Sequence, residues 1–443
     1  MPGFTRRQFI ARATALTGAQ FLAPIVGRAG PWLGQAAADP VTAARRRLVV
    51  VFLQGGNDGL NTVIPTGDVA GAPRYSVYRQ VRPSIAYAPA ETLPLDAGTD
   101  AGEALGLNSQ LQAVHRLYGE GRLAVVQGVD YPNHSYSHFT SADTWQAGAP
   151  AQGADSGWIG RHLDRVGIGD GELRAVGIGT DLPLLLRGHD RVGAELASLA
   201  SAQFVDGASA TARARHDGLR AFAAYPDTDV LRHAAGVQLA SAADLVDLLA
   251  QAPAEPPSPH PMTAAMLTAR TLLEDDLGVE CVFVPQPGSY DTHVQQRTNQ
   301  ETVLAALDAG LEAFFYGTEQ GQPCGTIGPL APAVADRTVV MVVSEFGRRI
   351  GENGSGAVAG TDHGAAAPVL MIGPSGTASA GLRLVPGLHG AHPDLGTPLL
   401  PTDNLAMTTD LRSLVQTVLQ TWLGDPDPGY ANVPIMTDLF TSS

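Results

Sequence analysis

The 443-residue chain predicts an α/β fold, a three-layer sandwich of helices around a mostly parallel sheet, with a helical insertion. Three observations carry this. Apolar, β-rich runs such as Leu48–Leu53, Val279–Val284 and Val339–Val343 read as strands buried on both faces. Helical patterns separate the runs, the rhythm of strands joined by crossover helices. Turns carrying Gly, Asp, His or Glu follow the runs, and in open α/β sheets ligands bind beyond the carboxyl ends of the strands.

Taken in order, the chain begins with an export leader. Thr5-Arg6-Arg7-Gln8-Phe9-Ile10 resembles a twin-arginine motif, an apolar stretch runs from Ala13 to Val26, and Ala36-Ala37-Ala38 offers a cleavage site. Residues 1–38 are therefore expected to engage the twin-arginine translocation machinery and leave 39–443 in the periplasm or outside the cell. The apolar stretch falls short of the about 20 residues a membrane span needs, and no later segment reaches that length, so no stable span is expected after cleavage. Strands are predicted over 47–53, 122–128, 173–178, 279–284, 337–343 and 367–373. Helices are predicted over 108–118, 135–147, 156–166, 228–250, 262–276, 296–317 and 409–422. The interval 180–278 breaks the alternation and reads as a mainly helical insertion, with an exposed Pro-rich loop at Ala252–Pro259. Segment 351–360, with four glycines, reads as a flexible loop.

The composition excludes several functions. The formal net charge is −15, and the leader contributes Arg but no acid, so nucleic acid and anionic lipid are not expected partners. All 28 basic residues are Arg, which rules out a lysine Schiff base and a phosphate-loop lysine. Of the two cysteines, Cys281 falls inside a predicted strand and is assigned to the core. A Cys281–Cys324 disulfide is the alternative in an oxidising compartment.

The turns after the strands hold the candidate chemistry. In Gly55-Gly56-Asn57-Asp58 the glycines permit a tight turn, and Asp58 either binds a cation or caps the following helix. Tyr131–Thr140 leads from a strand into a helix N-terminus, placing Ser135 and Ser137 as nucleophiles or as caps. Asp291-Thr292-His293 either directs a carboxylate and an imidazole to one side of extended backbone, a pairing suited to Zn, Mn or Fe, or leaves Asp291 to cap the next helix with His293 at the surface. Glu345, at the end of the most apolar strand, must be paired, bound to metal or open to solvent. Arg348 is either its partner or a clamp for developing negative charge. Asp362 and His363 adjoin the last core strand, with His363 the strongest ligand candidate and Asp362 either a ligand or the group that orients it. No Gly-x-Ser-x-Gly elbow occurs.

These motifs, together with Ser137-His138-Phe139 and Gly157-Trp158-Ile159-Gly160-Arg161, resemble the exported bacterial family catalogued as domain of unknown function 1501, over most of the mature chain. That family in turn looks like a distant member of the alkaline phosphatase and sulfatase superfamily. The resemblance implies an alkaline-phosphatase-like fold with divalent metals, Zn, Mn, Mg or Ca, at the carboxyl ends of the strands. It would place Asp58, Asp291, His293, Glu345 and His363 at metal positions, with Ser137 as nucleophile; Asp362 is the candidate to substitute for a missing metal ligand, and Arg348 is the candidate charge stabiliser. The chain departs from that pattern at Phe346, where the superfamily usually has a His ligand. It departs also in the close spacing of Asp291 and His293, and in lacking a Cys near Ser137 for conversion to formylglycine. The expected function is an exported, metal-dependent hydrolase of phosphate or sulfate esters, its substrate unspecified. The alternatives are a non-catalytic envelope protein binding a polymer or partner through a degenerate cleft, and a metal-free serine esterase using Ser137, His363 and an Asp.

Overall fold

The computed structural model describes residues 45–100, 102–150, 154–166, 174–179, 181–189, 192–197, 210–224, 260–274, 278–375, 381–395, 403–430 and 433–442. The predicted leader, the helix at 228–250 and the Pro-rich loop lie outside the described residues. In chain order the main elements are β1 (Arg47–Leu53), α1 (Gln112–Gly119), β2 (Leu123–Asp130), α2 (His138–Ala147), α3 (Trp158–Val166), β3 (Ala175–Ile178), β4 (Ala194–Leu196), α4 (Ala210–Ala224), α5 (Pro261–Glu274), β5 (Cys281–Pro285), α6 (Gln296–Tyr316), β6 (Thr338–Ser344), β7 (Ala367–Ile372), β8 (Gly387–His389), β9 (Thr409–Asp410) and α7 (Leu411–Thr417). The chain divides into two compact units. The larger comprises Arg46–Ala154, Pro256–Leu267 and Val284–Ser443; the smaller includes Asp155–Glu255 and Thr268–Phe283.

In the larger unit β1 pairs in parallel with β6, with Val50 opposite Met341. β6 pairs antiparallel with β7, and β7 antiparallel with β2, whose other side takes β8 and β9 in parallel. In the smaller unit β3 pairs in parallel with both β4 and β5. A mixed sheet of mostly parallel pairs with helices makes this an α/β fold. Every residue of β1, β2 and β6 is buried, as near-continuous apolar runs require of central strands. Each buried Val, Leu or Ile there contributes roughly 1.5–3 kcal/mol relative to exposure.

The interval 180–278, read from sequence as mainly helical, also supplies the strand β4. Three residues are too few to show a strand's period-two pattern. Helix α7 ends sooner than the pattern over 409–422 suggests and passes into a π-helical turn, Val418–Trp422. Trp422 is fully buried there and donates from its indole nitrogen to the Arg47 carbonyl at 2.9 Å. Cys281 and Cys324 are both buried free thiols. Among the described residues, no helix is long and apolar enough to cross a membrane.

The direction of β7 positions the site. Because β7 runs against its neighbours, its N-terminal end meets the carboxyl ends of β2 and β6. The segment after β5 is tied to the end of β1, where the Gln286 amide donates to the Phe52 carbonyl and the Tyr290 amide to the Gln54 carbonyl, each at 2.9 Å. Residues after β1, β2, β5 and β6 and residues before β7 therefore share one edge.

Candidate metal centre

Glu345, directly after β6, is buried and fully partnered. Its Oε1 accepts from the Gly55 amide and from His138 Nδ1, both at 2.8 Å, and its Oε2 accepts from the Ser344 hydroxyl at 3.1 Å. The close approach of the β1 turn depends on glycine. Gly55 has φ +116°, and a Cβ there would lie 2.5 Å from the Asp291 amide nitrogen.

His138 opens α2, after Ser137 as N-cap. With Nδ1 held by Glu345, its Nε2 is buried without a hydrogen-bond partner, 3.6 Å from Asp291 Oδ2. The hydrogen bond to Glu345 is the main cause raising the His138 pKa above the ordinary histidine value, with burial opposing it. His363, four residues before β7, directs Nδ1 at the Tyr136 carbonyl, 2.8 Å away, and Nε2 at Asp291 Oδ1, 3.1 Å away. His293 repeats the pattern. Its Nδ1 lies 3.2 Å from Asp362 Oδ1, and its Nε2 lies 3.0 Å from both Asp291 Oδ1 and His363 Nε2.

All three imidazoles thus face an acceptor through Nδ1. An Nδ1–H donated to an acceptor leaves Nε2 as a lone pair. Three such lone pairs are directed at the Asp291 carboxylate, and those of His293 and His363 are only 3.0 Å apart. Two facing lone pairs at that distance repel unless a proton is shared between them or a cation lies between or beside them. Outer carboxylates and carbonyls that fix the tautomer of metal-binding histidines produce this geometry. One ligand atom each from His138, Asp291 and His363 lies within 4.8 Å of the others, the sole cluster of that kind among the described residues, and His293 adjoins it. A set of imidazole nitrogens and one carboxylate suits zinc and other borderline divalent ions. Asp291 is exposed and the three histidines are partly exposed, so solvent reaches the cluster.

Arg348 organises this centre from beneath. It is fully buried and donates to the carbonyls of Gly55, Gly56, Tyr290 and Thr361, and to Asp291 Oδ1 at 2.7 Å. Burial pushes the Asp291 pKa up, but the hydrogen bond and charge of Arg348 hold it below the usual carboxylate value. Asp362 is likewise held low: burial opposes, and hydrogen bonds from Asn353 and His293 prevail. The donors of Arg348 are spent on the protein, which makes it a positioning residue.

The predicted site residues therefore separate. Asp291, His293 and His363 come together. Glu345 and Asp362 stand one layer out, behind His138 and His293. Asp58 is not brought to the cluster. Its Oδ2 is ion-paired with Arg82 Nη1 at 2.7 Å and accepts from the Gln296 amide, while its Oδ1 accepts from the Leu60 amide at 3.0 Å. Ser137 is exposed, its Oγ a long 3.5 Å from the Thr140 amide that it caps. The Phe346 ring lies 4.8 Å, centroid to centroid, from both His138 and His363, and so floors the cluster with an aromatic face. His138 carries no ligand pattern of its own in the sequence, because it falls in the first turn of α2. Its position beside Ser137, directly after a strand and turn, was the available signal.

Residues 124–429 match the family described as "Protein of unknown function (DUF1501)". No curated protein matches the chain.

Proposed function

For this chain, which belongs to the DUF1501 family, we propose an exported, metal-dependent hydrolase of phosphate or sulfate esters with an alkaline-phosphatase-like fold. One observation carries the reading: three imidazoles, each fixed through Nδ1 by an oxygen acceptor, aim Nε2 at one carboxylate. His138, Asp291, His293 and His363 would hold the ion. A divalent ion supplies Lewis acidity toward an ester oxygen and toward an attacking hydroxyl or water. Partial exposure of these groups supports a catalytic rather than a closed structural centre.

The remaining residues have separate tasks. Glu345 keeps the His138 proton on Nδ1, and Asp362 does the same for His293, so that both Nε2 atoms stay available. Arg348 fixes the Asp291 carboxylate and draws the β1, β5 and β6 turns together through their carbonyls. Ser137, exposed and weakly capped, is the candidate nucleophile. The substrate class rests on the resemblance of the strand-end motifs to the alkaline phosphatase and sulfatase superfamily. Pairing of Asp58 with Arg82 favours a single ion over the two of that superfamily.

Metal analysis and phosphatase and sulfatase assays on protein folded in the cytoplasm test the proposal. About one ion per chain is expected, with turnover lost on chelation and restored by its return. Protein that binds no ion and stays inert after addition of Zn, Mn, Mg or Ca refutes it. Turnover that survives chelation would favour a metal-free serine esterase.

A further inference from the structure

The large apolar side chains exposed among the described residues are Tyr136 (41%), Phe139 (85%), Val294 (60%), Val358 (58%) and Met407 (41%). Such residues scattered singly need no explanation, but these are not scattered. Phe139 follows His138 in the chain, and Val294 follows His293. Tyr136 supplies the carbonyl that holds His363 Nδ1. Val358 is carried to Val294 by the backbone: the Gln295 amide donates to the Val358 carbonyl at 3.2 Å and the Gln296 amide to the Ala359 carbonyl at 3.0 Å. The loop bearing Val358 is closed on itself by bridges between Arg348 and His363 and between Asn353 and Gly360. Met407 lies three residues beyond Asn404, whose side-chain amide donates to the Tyr136 hydroxyl at 2.9 Å.

Resting on the metal-dependent ester reading above, we infer that these side chains form an apolar rim which receives the alkyl or aryl group of the substrate, so that the preferred esters are amphipathic. Three of the five, Phe139, Val294 and Tyr136, are chain neighbours or backbone partners of the metal-centre residues, and Val358 is joined to Val294 through Gln295, which places the rim beside that centre. The alternative occupants fit less well. A stable contact with a second copy needs about 20–30 residues a side. An anionic bilayer would meet a chain of formal net charge −15. An ester with its charged head at the metal centre and its apolar group on Phe139 and Val294 meets neither obstacle.

Non-hydrolysable phosphonates separate this inference from the reading beneath it. Full-length folded protein loaded with Zn²⁺ is titrated calorimetrically with methylphosphonate and with octylphosphonate below its micelle concentration. Octylphosphonate should bind at least about tenfold tighter, since burial of roughly two methylenes is enough for that factor. In Phe139→Ser/Val294→Ser the octyl advantage should fall to within about twofold, with zinc content and melting temperature as in the unmodified protein. Phe139→Ala alone, which removes the most exposed ring, should lose part of the advantage and serves should the double variant fold poorly. Equal affinity for the two phosphonates overturns the inference and leaves the metal centre standing. Failure of both to bind zinc-loaded protein overturns both. A monomer–dimer equilibrium that the rim variants abolish while the octyl advantage persists assigns the patch to a second copy, and also overturns the inference.

Discussion

Asp58 and Arg82 offer the sharpest test of how the edge of the sheet is built. Both side chains are buried, and Arg82 donates to Asp58 Oδ2 at 2.7 Å, to the Ile350 carbonyl at 2.7 Å, to the Arg349 carbonyl at 2.8 Å and to Asn61 Oδ1 at 2.9 Å. Arg82→Met removes these four bonds and leaves the Asp58 charge with only the Gln296 and Leu60 donors. Asp58→Asn leaves the guanidinium charge without its counter-ion and sets an amide among donors. Breaking a buried pair from one side costs about 3–5 kcal/mol. The double variant should fall short of the summed losses by about 1–3 kcal/mol, because the two charges then disappear together. Urea denaturation followed by tryptophan fluorescence measures the cycle, with zinc content measured on each variant. With the ion held by the proposed ligands, all variants that fold should bind zinc as the unmodified protein does, since Asp58 stands apart from the imidazole cluster. Loss of the ion in Asp58→Asn at unchanged stability would refute this reasoning and make Asp58 a ligand.

Glu345→Gln should weaken zinc binding by about 10–100-fold, read by competitive titration, because the charge that fixes the His138 tautomer is lost while the side chain keeps its shape. Asp308, in α6, accepts from the Ala113 and Val114 amides, each at 3.0 Å, yet burial above all lifts its pKa from 3.8 to about 6. A folded pKa above the unfolded one means that its contribution is fully present at low pH and is lost as pH rises through about 6. Measured by urea denaturation, Asp308→Asn should therefore gain relative to the unmodified protein by about 3 kcal/mol between pH 3.5 and 7.5. A pH-independent difference would show that Asp308 titrates as it does in the unfolded chain. Replacing Arg6 and Arg7 with Lys should leave the chain in the cytoplasm with its leader attached, as immunoblots of cell fractions would show.

The strands were legible because burial on both faces writes itself as an apolar run: 47–53 was predicted and Arg47–Leu53 is found. An apolar run carries no direction, so the reversal of β7 was not legible, although His363 owes its place to it. Asp291, His293 and His363 stood out because polar ligand types directly after or before buried strands have few other uses. His138 did not, since its orientation depends on Glu345, 207 residues further along the chain. Asp58 resembled a ligand for want of any sequence signal for Arg82, which reaches it from the end of a short helix, Arg74–Val81, with no distinctive pattern.

The reversal of β7 also bears on how the centre comes to exist during folding. Glu345, Arg348, Asp362 and His363 all lie on the single connection 345–366 that joins two neighbouring antiparallel strands. Closing it involves only short sequence separations, and the entropy cost of loop closure rises slowly with length. His138 and Asp291 must arrive from distant parts of the chain, a step that awaits the long-range pairing of β2 with β7 and of β1 with β6. One proposed ligand, His363, is thus local together with Glu345, Arg348 and Asp362, which position the others, whereas His138, Asp291 and His293 come from distant parts of the chain. An ion held by this ligand set would bind only the finished fold, adding RT ln(1 + [ion]/Kd) to its stability. For a chain whose leader resembles the twin-arginine type, which is exported already folded, ion uptake in the cytoplasm would then mark a molecule ready to leave the cell.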